Sequence, residues 1–178
     1  FARAVTKDSN IKILIKPGME IHSFDPSPQD IIAINNCDVF IYIGGASDKW
    51  VDDILKSTNL SNKTIIKLFD SVDISTSIHH DEVSCTLSHH SKETHKHNHE
   101  IDEHIWTSPT YTKKMVLHTA KKLSEAYPVY AEKYQTNAQA YCNEIQQIIN
   151  QLLQITQKSK HNFIIMGDRF PLKYFAQE

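Results

Sequence analysis

The side chains with the plainest chemistry in this sequence are imidazoles, and they are unevenly spread. Of eleven histidines, seven (His79, His80, His89, His90, His95, His97 and His99) lie between positions 79 and 99. An eighth follows in Asp102-Glu103-His104-Ile105-Trp106-Thr107-Ser108-Pro109. Neutral imidazole is the commonest protein ligand for first-row transition metals. The residues between these histidines are Ser, Thr, Lys, Asp and Glu with almost nothing apolar, so the segment of about 75–101 cannot bury enough surface to fold alone. It reads as a polar loop that gathers metal ions ahead of one fixed histidine. The bland alternatives are a solvated insertion or an expression tag, and a tag is disfavoured because the histidines are scattered and internal.

Three residues stand at the carboxyl ends of expected strands, where ligands gather in open α/β sheets: His22, His104 and Asp168. His22 lies in Gly18-Met19-Glu20-Ile21-His22-Ser23-Phe24-Asp25-Pro26, and Asp168 in Gly167-Asp168-Arg169-Phe170-Pro171. Asp102 and Glu103 beside His104 could accept a hydrogen bond from a ligand imidazole and orient it. Catalytic arrangements fare poorly on the same residues. A zincin needs His-Glu-x-x-His, but after His99-Glu100 the next histidine, His104, comes one position too late to share a helix face. No Gly-x-Ser-x-Gly, P-loop or Gly-x-Gly-x-x-Gly occurs, so an enzyme is not expected. Cys37, Cys85 and Cys142 are odd in number and far apart, which describes no disulfide framework; Cys85 alone sits where it could join a loosely held metal.

The elements that must position these residues alternate between strand and helix. Ile11–Lys16 predicts a strand stopped by Pro17-Gly18. Ser27 as N-cap, Pro28 in the first turn and Asp30 near the positive end predict a helix to about Asn36. Val39–Ile43 is continuously apolar, as a strand covered on both faces would be. Gly44-Gly45 follows, then a helix from Asp48 to about Ser57 and a strand at Thr64–Leu68. After Pro109 one helix runs to Pro128 and a second of some thirty residues, free of Pro and Gly, from Val129 to about Lys158. At ~1.5 Å per residue it would span roughly 45 Å, long for a crossover and suited to a strut. Asn162–Met166 predicts one more strand. The fold class is α/β: an open, mostly parallel sheet lobe with flanking helices, a long linker helix, and the start of a second α/β lobe. The expected organisation is a metal-binding lobe over 1–128, the linker over 129–160 and the second lobe from 161 to 178. Both ends read as cut from a longer protein, opening mid-helix on Phe1–Val5 and closing on Tyr174–Glu178.

Composition narrows the partners. A net charge of -2, a pI near 6.6 and only two arginines (Arg3 and Arg169) give no footprint for nucleic acid. No apolar run approaches the ~18–20 residues of a membrane helix.

On these motifs the chain resembles the zinc and manganese solute-binding proteins of ABC transporters, the cluster A-I or adhesin-lipoprotein family. His22-Ser23-Phe24-Asp25-Pro26-Ser27-Pro28-Gln29-Asp30 is similar to the family's first metal motif, and Asp102–Pro109 to its second. Ile43-Gly44-Gly45-Ala46-Ser47-Asp48-Lys49-Trp50-Val51 is similar to the turn between them, and the histidine-rich insertion to the loop of zinc-type members. The resemblance implies two α/β lobes joined by a rigid helix, with one ion held between them and handed to a membrane permease. It implies an extracytoplasmic location and membrane association through a lipid anchor. His22 and His104 carry over as ligands. At the third position, where the family places His or Glu, Gly167 stands instead, leaving Asp168 as the candidate oxygen ligand. Two imidazoles and a histidine-rich loop favour Zn2+ over Mn2+, which prefers oxygen. The alternative within the resemblance is a surface adhesin or scaffold whose metal is structural.

Overall fold

The computed structural model describes residues 1–178 apart from 8–9, 58–61, 75–100, 162 and 168–169. Its framework is two parallel strands, β1 (Val39–Tyr42) and β2 (Thr64–Lys67), in the register Val39 to Thr64 through Tyr42 to Lys67. Successive side chains of a strand point to opposite faces, so this short ladder seeds two cores. Phe40 and Ile65 point to the face where Ile34 of α2 (Pro28–Asn36) meets Val51 and Ile54 of α3 (Lys49–Ser57). Ile66, with Val39 and Ile41, faces the larger core. That core is filled from α4 (Pro109–Ala126) by Met115, Val116, Ala120 and Leu123, and from α5 (Ala131–Lys158) by Ala138, Cys142 and Ile145. The small side chains of Ala120 and Ala138 are almost fully buried in this helix pair, which turns through a 3-10 segment at Pro128–Tyr130. The N-terminal α1 (Ala2–Thr6) adds Val5 to the same core, and Asn137 Nδ2 donates to the Val5 carbonyl at 2.8 Å.

The α2 start follows the sequence closely. Ser27 Oγ accepts from the Asp30 amide at 3.3 Å while the Asp30 carboxylate accepts from the Ser27 amide at 3.2 Å, a reciprocal capping box with Pro28 in the first turn. The Ser27 hydroxyl also donates to Asp30 Oδ2 at 2.7 Å, and this bond chiefly, with Lys12 and the Ser27 amide, holds the Asp30 carboxyl below its ordinary range.

Two expected strands do not form. Ile11–Lys16 is irregular: Ile13 is 64% exposed, Lys12 pairs with Asp30 at 3.3 Å, and Leu14 packs on the α2–α3 core. The segment is tied down by side chains, and among the described residues no strand pairs with it; β propensity describes fit to a sheet surface more than an intrinsic backbone choice. Residues 163–166 are also non-strand, with Ile165 83% exposed. An apolar run becomes a strand only beside another, and none lies there among the described residues.

The second long helix begins two residues later than expected, at Ala131 after the 3-10 turn. Its last buried residue is Ile145; farther along, Ile148, Leu153 and Ile155 are exposed, so α5 projects beyond the core it helps build. The chain then returns. The one-turn helix α6 (Lys173–Ala176) brings Tyr174, 4% exposed, into the larger core against Tyr111. Among the described residues no helix is long and apolar enough to cross a membrane.

Candidate metal centre

Both expected ligand histidines lie at one-turn 3-10 segments. His22 sits in Ile21–Ser23, where the Glu20 carboxylate accepts from its amide at 3.1 Å and caps the turn. His104 precedes Ile105–Thr107, which is pinned by the fully buried Ile105 and by Thr107 Oγ1 donating to the His104 carbonyl at 2.7 Å. The two rings meet edge to face with centroids 5.4 Å apart. Two imidazoles sharing a tetrahedral zinc through their outer nitrogens would have centroids roughly 5 Å apart, given Zn–N of about 2.0–2.1 Å. The pair is therefore spaced for one ion. Trp106 closes one side, its ring 5.2 Å from that of His104.

The inner nitrogens are already engaged. His104 Nδ1 is 2.6 Å from Asp102 Oδ1, which also accepts from the His104 amide at 3.0 Å. His22 Nδ1 is 3.0 Å from Glu103 Oε1 and 2.8 Å from Ser47 Oγ. An ionised carboxylate only accepts, so each ring satisfies its neighbour by carrying its proton on Nδ1, which leaves Nε2 with the lone pair. In each ring Nε2 is then the nitrogen left with a lone pair, the atom a metal ion would take; that of His22 lies 4.0 Å from Glu20 Oε1.

Glu103 is the most enclosed member of the site, its side chain 8% exposed against 36% for His22. Its carboxylate accepts from the Ser47 amide at 2.7 Å and, in a closer contact, from the Ser47 hydroxyl. Gly45 makes room for it: a Cβ there would overlap the Glu103 carboxylate and its Cβ. Gly44 has a positive φ of +95°, and its amide donates to Asp48 at 2.8 Å, closing the turn that presents Ser47. Burial holds the Asp48 carboxyl above its ordinary range, against the pull of the Gly44 and Ile43 amides, and the Glu103 charge adds to the rise.

The C-terminal segment holds the second histidine loop from behind. Tyr174 donates to the Asp102 carbonyl at 2.9 Å. The Glu178 carboxylate accepts from the Thr110 amide at 3.1 Å and from the Ser108 hydroxyl, placing negative charge at the positive end of α4. Sequence reasoning marked Asp102 and Glu103 as acceptors for His104. The structure divides them, Asp102 to its own histidine and Glu103 to the other. Ser47, Tyr174 and Glu178 carried no such role; for Ser47 the available signal was its place in the Gly44-Gly45 turn.

Asp168, the seven loop histidines (His79, His80, His89, His90, His95, His97 and His99) and Cys85 lie outside the described residues. Among the described residues no group of three or more His, Cys, Asp or Glu side chains is arranged to hold a metal. His118, on α4, is apart from the site; its buried Nε2 has no hydrogen-bond partner among the described residues, and burial holds its pKa low.

Comparison with known proteins follows the same line. The model of a family described as zinc-uptake complex component A, periplasmic, matches residues 1–178. Zinc-binding protein AdcA of Streptococcus pyogenes serotype M3 is 33% identical over 128 residues, covering 70% of this chain and 25% of that protein. High-affinity zinc uptake system protein ZnuA of Bacillus subtilis is 27% identical over 137 residues, covering 72% of this chain and 39% of its own length. The Zn(II)-bound ZnuA-like domain of Streptococcus pneumoniae AdcA superposes with a TM-score of 0.76 over 98% of this chain and 58% of that one, at 23% identity. The metal-dependent lipoprotein YcdH of Bacillus subtilis does so with a TM-score of 0.77 at 22% identity, over 98% of this chain and 58% of its own. The structural likenesses show the fold. The chain spans between a quarter and two-fifths of the curated relatives it matches.

Proposed function

The chain belongs to the family of periplasmic zinc-uptake component A proteins, and on that premise we propose that it forms the ion-holding part of an extracytoplasmic zinc-capture protein. His22 and His104 bind Zn2+ through Nε2, and the ion passes to the permease of an ABC importer. The observation that carries this reading is the facing imidazole pair, 5.4 Å between centroids, with each Nδ1 against a carboxylate. Ligand sites whose second nitrogen is fixed in this way are built for metal.

Asp168 supplies an oxygen ligand, and the histidines between 79 and 99 act as an accessory, weaker station that raises the local ion concentration. Residues 1–128 form the first lobe, 129–160 the linker and 161–178 the beginning of a second lobe. The exposure of Ile148, Leu153 and Ile155 supports a linker at the far end of α5, while Tyr174 of the last segment packs back into the first lobe's core. The protein binds and delivers an ion and performs no reaction on it. A lipid anchor would hold it at the membrane surface.

The test is zinc titration of the full-length protein against a competing chelator, comparing wild type, His22→Ala/His104→Ala and a deletion of 79–99. Tight one-to-one binding is expected to survive the deletion and to be lost in the double variant. Tight binding that persisted without both histidines would move the primary site elsewhere and overturn the assignment.

A further inference from the structure

The Glu103 carboxylate joins two separate stretches of chain. It stands between Asp102 and His104 on one loop; its hydrogen bonds go to Ser47 on a second, and Oε1 lies 3.0 Å from His22 Nδ1 on a third. A buried carboxylate must find donors for its oxygens, and here both have them. Oε2 takes the Ser47 amide, while Oε1 takes the Ser47 hydroxyl and stands 3.0 Å from His22 Nδ1. A zinc ligand is not needed at Glu103 to explain this arrangement. The residue is already fully engaged, and the space it fills exists because position 45 has no side chain.

We propose that Glu103 is a positioning residue for metal capture, acting through His22. The Ser47 hydroxyl donates to Glu103 and so can only accept from Nδ1, 2.8 Å away; with the Glu103 charge 3.0 Å from the same nitrogen, this holds His22 as the Nδ1–H tautomer and leaves the lone pair on Nε2. By gripping the Ser47 amide, it locks the turn at 46–48 to the loop that carries His104, so the two imidazoles are assembled as a pair before the ion arrives. An ion then meets rings already oriented and does not have to fix them from rotamers and tautomers that oppose binding. Loss of such an outer partner typically weakens metal binding by roughly ten- to a hundredfold.

This inference rests on His22 being a ligand, and the experiment separates the two. In the full-length protein, zinc affinity is measured by chelator competition for wild type, Glu103→Gln, His22→Ala and the double variant. The His22 ring nitrogens are followed by long-range 15N–1H NMR in the metal-free state. Glutamine has the shape of glutamate but can turn an NH2 group toward Nδ1, which would favour the opposite tautomer. Glu103→Gln is expected to weaken zinc binding about ten- to a hundredfold and to move His22 toward the Nε2–H form. In the His22→Ala background it should change affinity little, because the path through His22 is gone. Ser47→Ala, which removes a hydroxyl and no charge, should shift the same ring signals with a smaller loss of affinity.

If His22→Ala binds zinc as wild type does, the site assignment itself falls. If His22→Ala loses affinity while Glu103→Gln leaves affinity and ring signals unchanged, only the positioning role falls. An effect of Glu103→Gln that is just as large without His22 would also overturn it, since the residue would then be acting through general stability or charge. Should Glu103→Gln fail to fold, unchanged His22 signals in Ser47→Ala would count against the proposal.

Discussion

At the scale of single residues, the site shows how much a motif conveys and where it stops. That His22 and His104 belong together was read from their place at expected strand ends and from the resemblance of their motifs, and the two rings do lie 5.4 Å apart. The pairing of carboxylates was not. Asp102 and Glu103 are neighbours in sequence, and only the backbone at His104 decides that one side chain folds back while the other crosses to Ser47. Tyr174 was equally hidden, reading as part of the first turns of a helix. It is a buried phenol donating to the Asp102 carbonyl, and burial, the Asp102 charge and Tyr111 push its pKa up to about 12. In the unfolded chain the phenol ionises near its ordinary 10, so this contribution to stability is complete below that pH and is lost as pH rises toward 12. Melting temperatures between pH 9 and 11.5 are therefore expected to fall more steeply in wild type than in Tyr174→Phe; parallel slopes would contradict the assignment.

Among elements, helices were read well because their signals are local. Capping residues, a leading proline and periodic apolar positions place α2, α3 and α4 within a few residues of where they lie. The clearest case is the Ser27–Asp30 box, which can be weighed directly. Ser27→Ala removes the side-chain cap and leaves Asp30 without its closest donor, and is expected to cost about 1 kcal/mol. Urea denaturation would show this as a lower midpoint at an unchanged slope; no shift would mean that the α2–α3 core alone fixes the helix start. Strands were read less well because a strand is a relation between segments. Ile11–Lys16 and residues 163–166 both have strand composition. Neither has a partner along its backbone among the described residues, whereas Val39–Tyr42 and Thr64–Lys67 have each other.

For the molecule as a whole, the α/β class followed from the alternation of elements. The return of the chain to the site did not, since it depends on Tyr174 and Glu178 reaching residues some seventy positions away. The most consequential feature at this scale is that the two histidines are anchored unequally. The turn at Ile21–Ser23 has no buried residue and is capped by an exposed glutamate, whereas the turn after His104 is nailed to the core by Ile105 and backed by Tyr174. Local opening costs least where few apolar contacts must be broken. An ion shared by the two would therefore leave in a fixed order, with the His22 arm swinging away first and His104 letting go last. Hydrogen exchange gives the readout: the amides of residues 21–24 should exchange well before those of 105–108, and zinc should slow the first group more. Equal exchange in both turns would mean that the site opens as one body. With unequal arms, the lifetime of the bound ion is set by the weaker arm, and the helical core can stay closed throughout.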